Sequence, residues 1–213
     1  AYPLQTNAVD LSGNYSGASS NVTFGQPGYL TSNTDGTITT AIAANVEAGF
    51  NIISYSGNGI AGATVGHGLG QQVKLAFFKN RTTGSTYWYV YSDELSGSTY
   101  NLYLNTADTE TADNVLRGGN ATTIEISNST AVNATNNNYI CYAWASIPGY
   151  SRVGSYIGQT AGVTIYTGFQ PRFIMVKASQ ATYPENWAIL DAVRGSGKCL
   201  NPNLSNAETD STL

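Results

Sequence analysis

The chain has 213 residues, 41% hydrophobic and only 10% charged, with a net charge of −4. This length fits one large domain or two of about 100 residues. Fifteen Tyr, 6 Phe and 3 Trp argue against a disordered chain. The densest basic group, Lys74, Lys79 and Arg81, is too sparse to track a phosphate backbone, which excludes a nucleic-acid partner. No apolar run approaches the length of a membrane-spanning helix.

In chain order, residues 1–49 form an N-terminal segment rich in Thr, Asn and Gly, with apolar residues at Val22, Phe24, Ile38 and Ile42. The sequence opens at Ala1 with no signal peptide, as a processed product or fragment would. From Phe50 the pattern becomes that of strands. NIISY precedes a glycine-rich run, and VKLAFFK and TYWYVYS read as a hairpin across a polar turn. YICYAWAS (139–146) reads as another strand. After Tyr150, RFIMVK and NWAILDA again read as a hairpin. No stretch shows sustained helical periodicity. The composition, β-branched and aromatic residues with Gly and Asn at turns, fits an extracellular all-β protein.

The chain repeats itself. FNIISYSGNGIAG (50–62) lies over YSRVGSYIGQTAG (150–162), Lys79 meets Lys177, Trp88 meets Trp187, and LNTADTET (104–111) lies over LSNAETDS (204–211). The separations run from 98 to 101 residues. VTFGQPGYLTSNTDGTI (22–38) also lies without a gap over IEISNSTAVNATNNNYI (124–140). The expected fold is two tandem β-sandwich repeats, jelly-roll or immunoglobulin-like. Residues 1–49 correspond to the tail third of a repeat, 50–149 to a whole one and 150–213 to the front two-thirds of a second. An unfinished sheet exposes unpaired backbone groups. Val22, Phe24, Ile38 and Ile42 are therefore candidate anchors of a completing segment, returning within one chain or, as the favoured expectation, donated to a neighbour. A window cut from a longer array of repeats gives the same pattern.

The strings SYSGNGIAGATVGHGLG, KNRTTGSTYWYVYSDEL, NNNYICYAWASIPGYSRVGSYIG and YTGFQPRFIMVKAS resemble an uncharacterised repeat of bacteriophage tail-fibre and other virion-surface proteins. The resemblance covers about 36–213. It implies a β-rich virion or filament module with glycan partners, and it carries no catalytic motif.

The string GNGIAG (57–62) has the form of a dinucleotide loop, but the glycine-rich ATVGHGLG after it cannot be the helix such a loop requires. Its copy GQTAG lacks the middle glycine, so the glycines read as turn formers and no cofactor is expected. His67, the only histidine, has no acid or Cys near it in sequence, and no metal site is assigned. The alternating acids of TADTETAD read as a solvated loop rather than a calcium loop.

Tyr87, Tyr89 and Tyr91 share one strand face opposite Trp88, as a glycan or subunit contact would require. Cys141 and Cys199 read either as one disulfide or as two buried thiols. Sequons at Asn14, Asn21, Asn80, Asn120, Asn128, Asn133 and Asn203 are candidate N-glycosylation sites. The expected function is a non-enzymatic protomer of an extracellular filament or virion fibre, assembling with itself head-to-tail. The alternative is a carbohydrate-binding receptor module of a tail fibre.

Overall fold

The computed structural model describes residues 30–195 and 197–210. It is all-β. The strands are β1 (Thr31–Asn33), β2 (Thr40–Asn45), β3 (Phe50–Ser56), β4 (Ala63–Gly66), β5 (Leu75–Asn80), β6 (Tyr89–Ser92) and β7 (Leu102–Tyr103), then β8 (Leu116–Gly119), β9 (Thr123–Ile126) and β10 (Asn138–Trp144). Four more follow: β11 (Phe173–Val176), β12 (Ala188–Asp191), β13 (Lys198–Cys199) and β14 (Thr209–Asp210).

Alternating side chains decide the layers. In β5 the burial alternates strictly, with Ala76, Phe78 and Asn80 inward and Leu75, Phe77 and Lys79 outward. Strand β10 does the same with Tyr139, Cys141 and Ala143. These inward faces belong to a seven-stranded antiparallel sheet in the order β1-β2-β3-β10-β5-β6-β7. Facing it is a three-stranded sheet, β4-β9-β8. Ile42, Ile53, Tyr55, Phe78, Tyr139 and Cys141 of the large sheet share one buried core with Val65, Leu116, Ile124 and Ile126 of the small one. This is a two-layer sandwich.

Strand β10 is central because it pairs on both sides, with β3 from Asn138↔Ser56 to Trp144↔Phe50 and with β5 from Tyr139↔Asn80 to Trp144↔Leu75. The glycine-rich loop after β3 packs tightly against the loop before β10. A Cβ at Gly57 would lie 2.3 Å from the Ala134 carbonyl oxygen, and Gly59 has φ +71°. Both positions therefore require glycine.

Residues 30–49 are placed differently from the expectation. Ile42 in β2 pairs with Ile53 of β3 and is buried, and Ile38 bridges to Val65 of β4. Both complete the first sandwich of their own chain, not the region 150–213. The cause is local: β2 and β3 are joined by a turn of four residues, 46–49, so hairpin closure costs little.

The region 150–210 forms no second sandwich among the described residues. It contributes two small sheets, β11-β12 and β13-β14. Their pairing nevertheless reproduces that of the first unit. Leu75 pairs with Ser92 and Phe173 with Asp191, at separations of 98 and 99 residues. Val90 pairs with Leu102 as Ile189 bridges to Leu200. Asn101 bridges to Thr111 as Cys199 pairs with Thr209. Lys79 donates to the Thr86 carbonyl, and Lys177 donates to the Glu185 carbonyl.

The second unit rests on the outer face of the large sheet. Trp187, 4% exposed, is buried with Val90 and Leu102 against Phe77, Leu95, Leu104 and Met175. Its indole Nε1 donates to the Tyr103 carbonyl at 2.8 Å. Lys177 Nζ donates to the Ala107 carbonyl at 3.0 Å, and Glu110 N donates to the Ser179 carbonyl at 2.9 Å. Replacing Trp187 by Ala removes the largest of these contacts, a loss of about 3–5 kcal/mol for a buried Trp. Limited proteolysis of Trp187→Ala is expected to cut within 150–213 at least tenfold faster, about 1.4 kcal/mol or more of lost docking. Residues 31–149 are expected to keep their resistance.

Candidate functional site

The strands of the first unit can be compared with the segments that lie over them in sequence after Tyr150. Strand β4 is held by β9, with Ala63 opposite Ile126 and Val65 opposite Ile124. Its counterpart, AGVTIY at 161–166, is in no sheet. Val163 is 45% exposed and Ile165 49%, whereas Ala63 and Val65 are 2% and 0% exposed. Strand β5 has β10 on one side and β6 on the other, but β11 pairs only with β12. Ile174, the counterpart of fully buried Ala76, is 43% exposed. The counterpart of β3, residues 150–156, forms no strand, and Tyr150 and Tyr156 are exposed.

Each of these elements corresponds to a strand that β9 or β10 holds in the first unit. Among the described residues, no counterparts of β8, β9 or β10 complete the second. The result is an apolar face with an open hydrogen-bonding edge, the combination that templates strand addition. Docking through Trp187 uses the outer face of β11-β12, so the face that would become a sandwich core points away from the first unit.

Buried asparagines mark the same asymmetry. Asn101 accepts from Leu116 N at 3.0 Å and donates Nδ2 to the Leu116 carbonyl, joining β7 to β8 as a backbone ladder would. Cys199 stands at the counterpart position. Asn51 accepts from Ala43 N and donates to the His67 carbonyl. Asn133 accepts from Asn58 N at 2.8 Å and donates to the Ile60 carbonyl at 2.9 Å.

The tyrosines separate. Tyr91 is 3% exposed in the core and its hydroxyl accepts from Gly119 N, so it offers nothing to a glycan or subunit. Tyr87 is exposed and Tyr89 half-buried against the core, and both are joined by Tyr103, which the strand pattern alone did not single out. The Tyr103 ring lies 4.6 Å from that of Tyr87 and 5.1 Å from that of Tyr89, and its hydroxyl donates to Asp113 at 2.8 Å. Burial, then the neighbouring Asp113 carboxylate, hold the Tyr103 phenol well above its ordinary pKa. The β6–β7 pairing Tyr89↔Tyr103 makes this cluster. Trp88 takes the opposite face, stacked on Tyr142, with Lys79 Nζ 5.9 Å from its ring centre.

Among the sequons, Asn133 and Asn80 are buried at 0% and 2% exposure, and their side chains hold loops: Asn80 Oδ1 accepts from Thr82 N and Thr83 N. Neither can present its amide to a glycosylating enzyme in the folded chain. Asn203 accepts from Trp187 N. Asn120 is exposed but caps Thr122 N and Thr123 N, and Asn128 is exposed. Asn14, Asn21, Val22 and Phe24 lie outside the described residues.

Cys141 and Cys199 are free thiols, each buried in a different unit, the second of the two readings and not the disulfide. Burial pushes the Cys141 thiol well above its usual pKa. The acids of TADTETAD do not converge: Glu110 binds Ser96 and Gln180, while Asp113 binds Tyr103. Hydrogen bonds from Ser96 and Gln180 hold the Glu110 carboxyl below its ordinary value despite partial burial.

Residues 13–212 match the model of a family described as a domain of unknown function (DUF7483). The chain belongs to that family. No curated protein and no solved structure matches it. The match runs through the sandwich and the open second unit alike, so both are parts of what defines the family.

His67 is fully buried, and its ring is held at both nitrogens. Nε2 donates to the Asn120 carbonyl at 3.1 Å, and Nδ1 accepts from Leu69 N at 3.2 Å. Only the neutral ring satisfies both, and burial lowers its pKa below the ordinary 6.5. The folded state therefore binds fewer protons than the unfolded one. Its advantage is complete above pH of about 6.5 and is lost as pH falls from there through the lowered folded pKa. Urea unfolding from pH 7.5 downward is expected to show this decline. His67→Gln, less stable at pH 7.5, is expected to show a flatter profile through that window.

Proposed function

We propose that this protein is a structural protomer of an extracellular filament or fibre, built head-to-tail from copies of itself, with no catalytic role. The observation that carries this reading is the contrast between equivalent strands. Val65 is fully buried under β9, while Ile165 is half exposed beside an empty edge. A second copy that supplies the missing strands buries those apolar residues and satisfies their backbone groups together. The donor region and the accepting region lie at different places on the chain, so the contact is heterologous. Such contacts propagate unless their rotation closes a ring. The low charge content suits a molecule whose surface is largely covered by its own kind.

A second reading, a carbohydrate-binding module of a fibre, draws on the Tyr87, Tyr89 and Tyr103 cluster with Asp113. A cluster of aromatic rings beside a carboxylate is suited to sugar rings. The two readings are compatible, because a fibre subunit can display such a patch along its length.

Electron microscopy and sedimentation of the purified chain test the assembly. Filaments, or a ladder of oligomers growing with protein concentration, are expected. Monodisperse single chains at every concentration would overturn the assembly and leave the tyrosine cluster as the remaining candidate.

A further inference from the structure

The missing strand has a specific requirement. In the first unit the strand that closes over β4 is β9, whose Ile124 and Ile126 alternate with a polar residue. A strand filling the same role over 161–166 must bring two apolar side chains two residues apart, facing Val163 and Ile165. Residues 22–24, Val-Thr-Phe, carry that pattern, and the stretch 22–38 lies over 124–140 with no gap. Val22 takes the place of Ile124, and Phe24 that of Ile126.

The chain between Val22 and Leu30 is short for reaching this face of its own second unit. Leu30 precedes β1, at one edge of the seven-stranded sheet. The second unit meets the first at the other end of that sheet, where Ser155 donates to Glu94 just past β6 and Trp187 donates to Tyr103 of β7. Five strand spacings separate β1 from β6, about 24 Å. Val22 is eight residues from Leu30, a reach of about 26 Å fully extended. Crossing those five spacings alone takes nearly all of that length. Another copy meets no such limit.

We propose that residues 22–24 of one copy form the missing strand against residues 163–165 of a second copy, antiparallel, with Val22 opposite Ile165 and Phe24 opposite Val163. The register copies Val65↔Ile124 and Ala63↔Ile126 of the first unit. This rests on the assembly proposed above and names its donor. Ile38 and Ile42 stay in their own sandwich, so strand exchange does not unfold the donor.

Disulfide trapping between separately purified variants tests the register. V22C is mixed with I165C, or with V163C, and oxidised with oxidised glutathione. Cys141 and Cys199 are buried, and their background is read from the unmodified chain. Directly opposed Cα atoms are within disulfide range, while a partner two residues along is shifted about 7 Å along the strand, which puts its Cα outside that range. V22C with I165C is expected to cross-link on the order of tenfold faster than V22C with V163C; F24C is expected to show the reverse preference. Equal rates in both registers would overturn the proposal. So would a monomeric internal disulfide in V22C/I165C at high dilution, which would mean completion within one chain. Filaments without the in-register cross-link would leave the assembly standing and reject this donor. In-register dimers without filaments would support the donor strand and reject the filament.

Discussion

A strand inside a sheet must be hydrogen-bonded along both edges, and β10 meets that requirement for two neighbours at once. It pairs with β3 along seven residues and with β5 along six. Its inward side chains, Tyr139, Cys141 and Ala143, are each fully buried in the core. The first unit becomes a sandwich because β10 joins β3 to β5 and because β9 holds β4 over them. The second unit carries counterparts of β3, β4 and β5 without either of these, and all three are left open. One pairing constraint therefore accounts for the difference between two segments of similar sequence.

The consequence is a chain with a closed half and an open half. The open half is not loose: Trp187 seats it on the outer face of the large sheet, and Lys177, Gln180 and Ser155 add polar contacts to Ala107, Glu110 and Glu94. Docking uses the wrong face for a core, which leaves the apolar inner face available to another strand.

The sequence announced the strands that form local hairpins. VKLAFFK and YICYAWAS became β5 and β10, and RFIMVK became β11 in the register of its counterpart. Apolar alternation and polar turns carry that information over short distances. The destination of residues 30–49 was not legible, because the stretch 22–38 lies over 124–140 in sequence, yet β2, which follows it, is captured by β3 through a short turn. Sequence similarity records an element's chemistry, while its sheet position depends on which partner is nearest when it folds. The roles of three asparagines were not legible for another reason. Asn51, Asn101 and Asn133 were indistinguishable from turn or sequon residues, although each clamps the backbone of a distant loop or strand. Tyr103 joined Tyr87 and Tyr89 only through the pairing of β6 with β7.

The central claim is that 161–166 and the free edge of β11 are empty in a single chain and filled in the assembly. Amide hydrogen exchange at low and at high protein concentration measures this directly. The account predicts that amides of 161–166 and 173–176 exchange rapidly in the dilute chain and become protected on assembly, while those of β3 and β10 are protected throughout. Equal protection of 161–166 at both concentrations, or none at either, would contradict it.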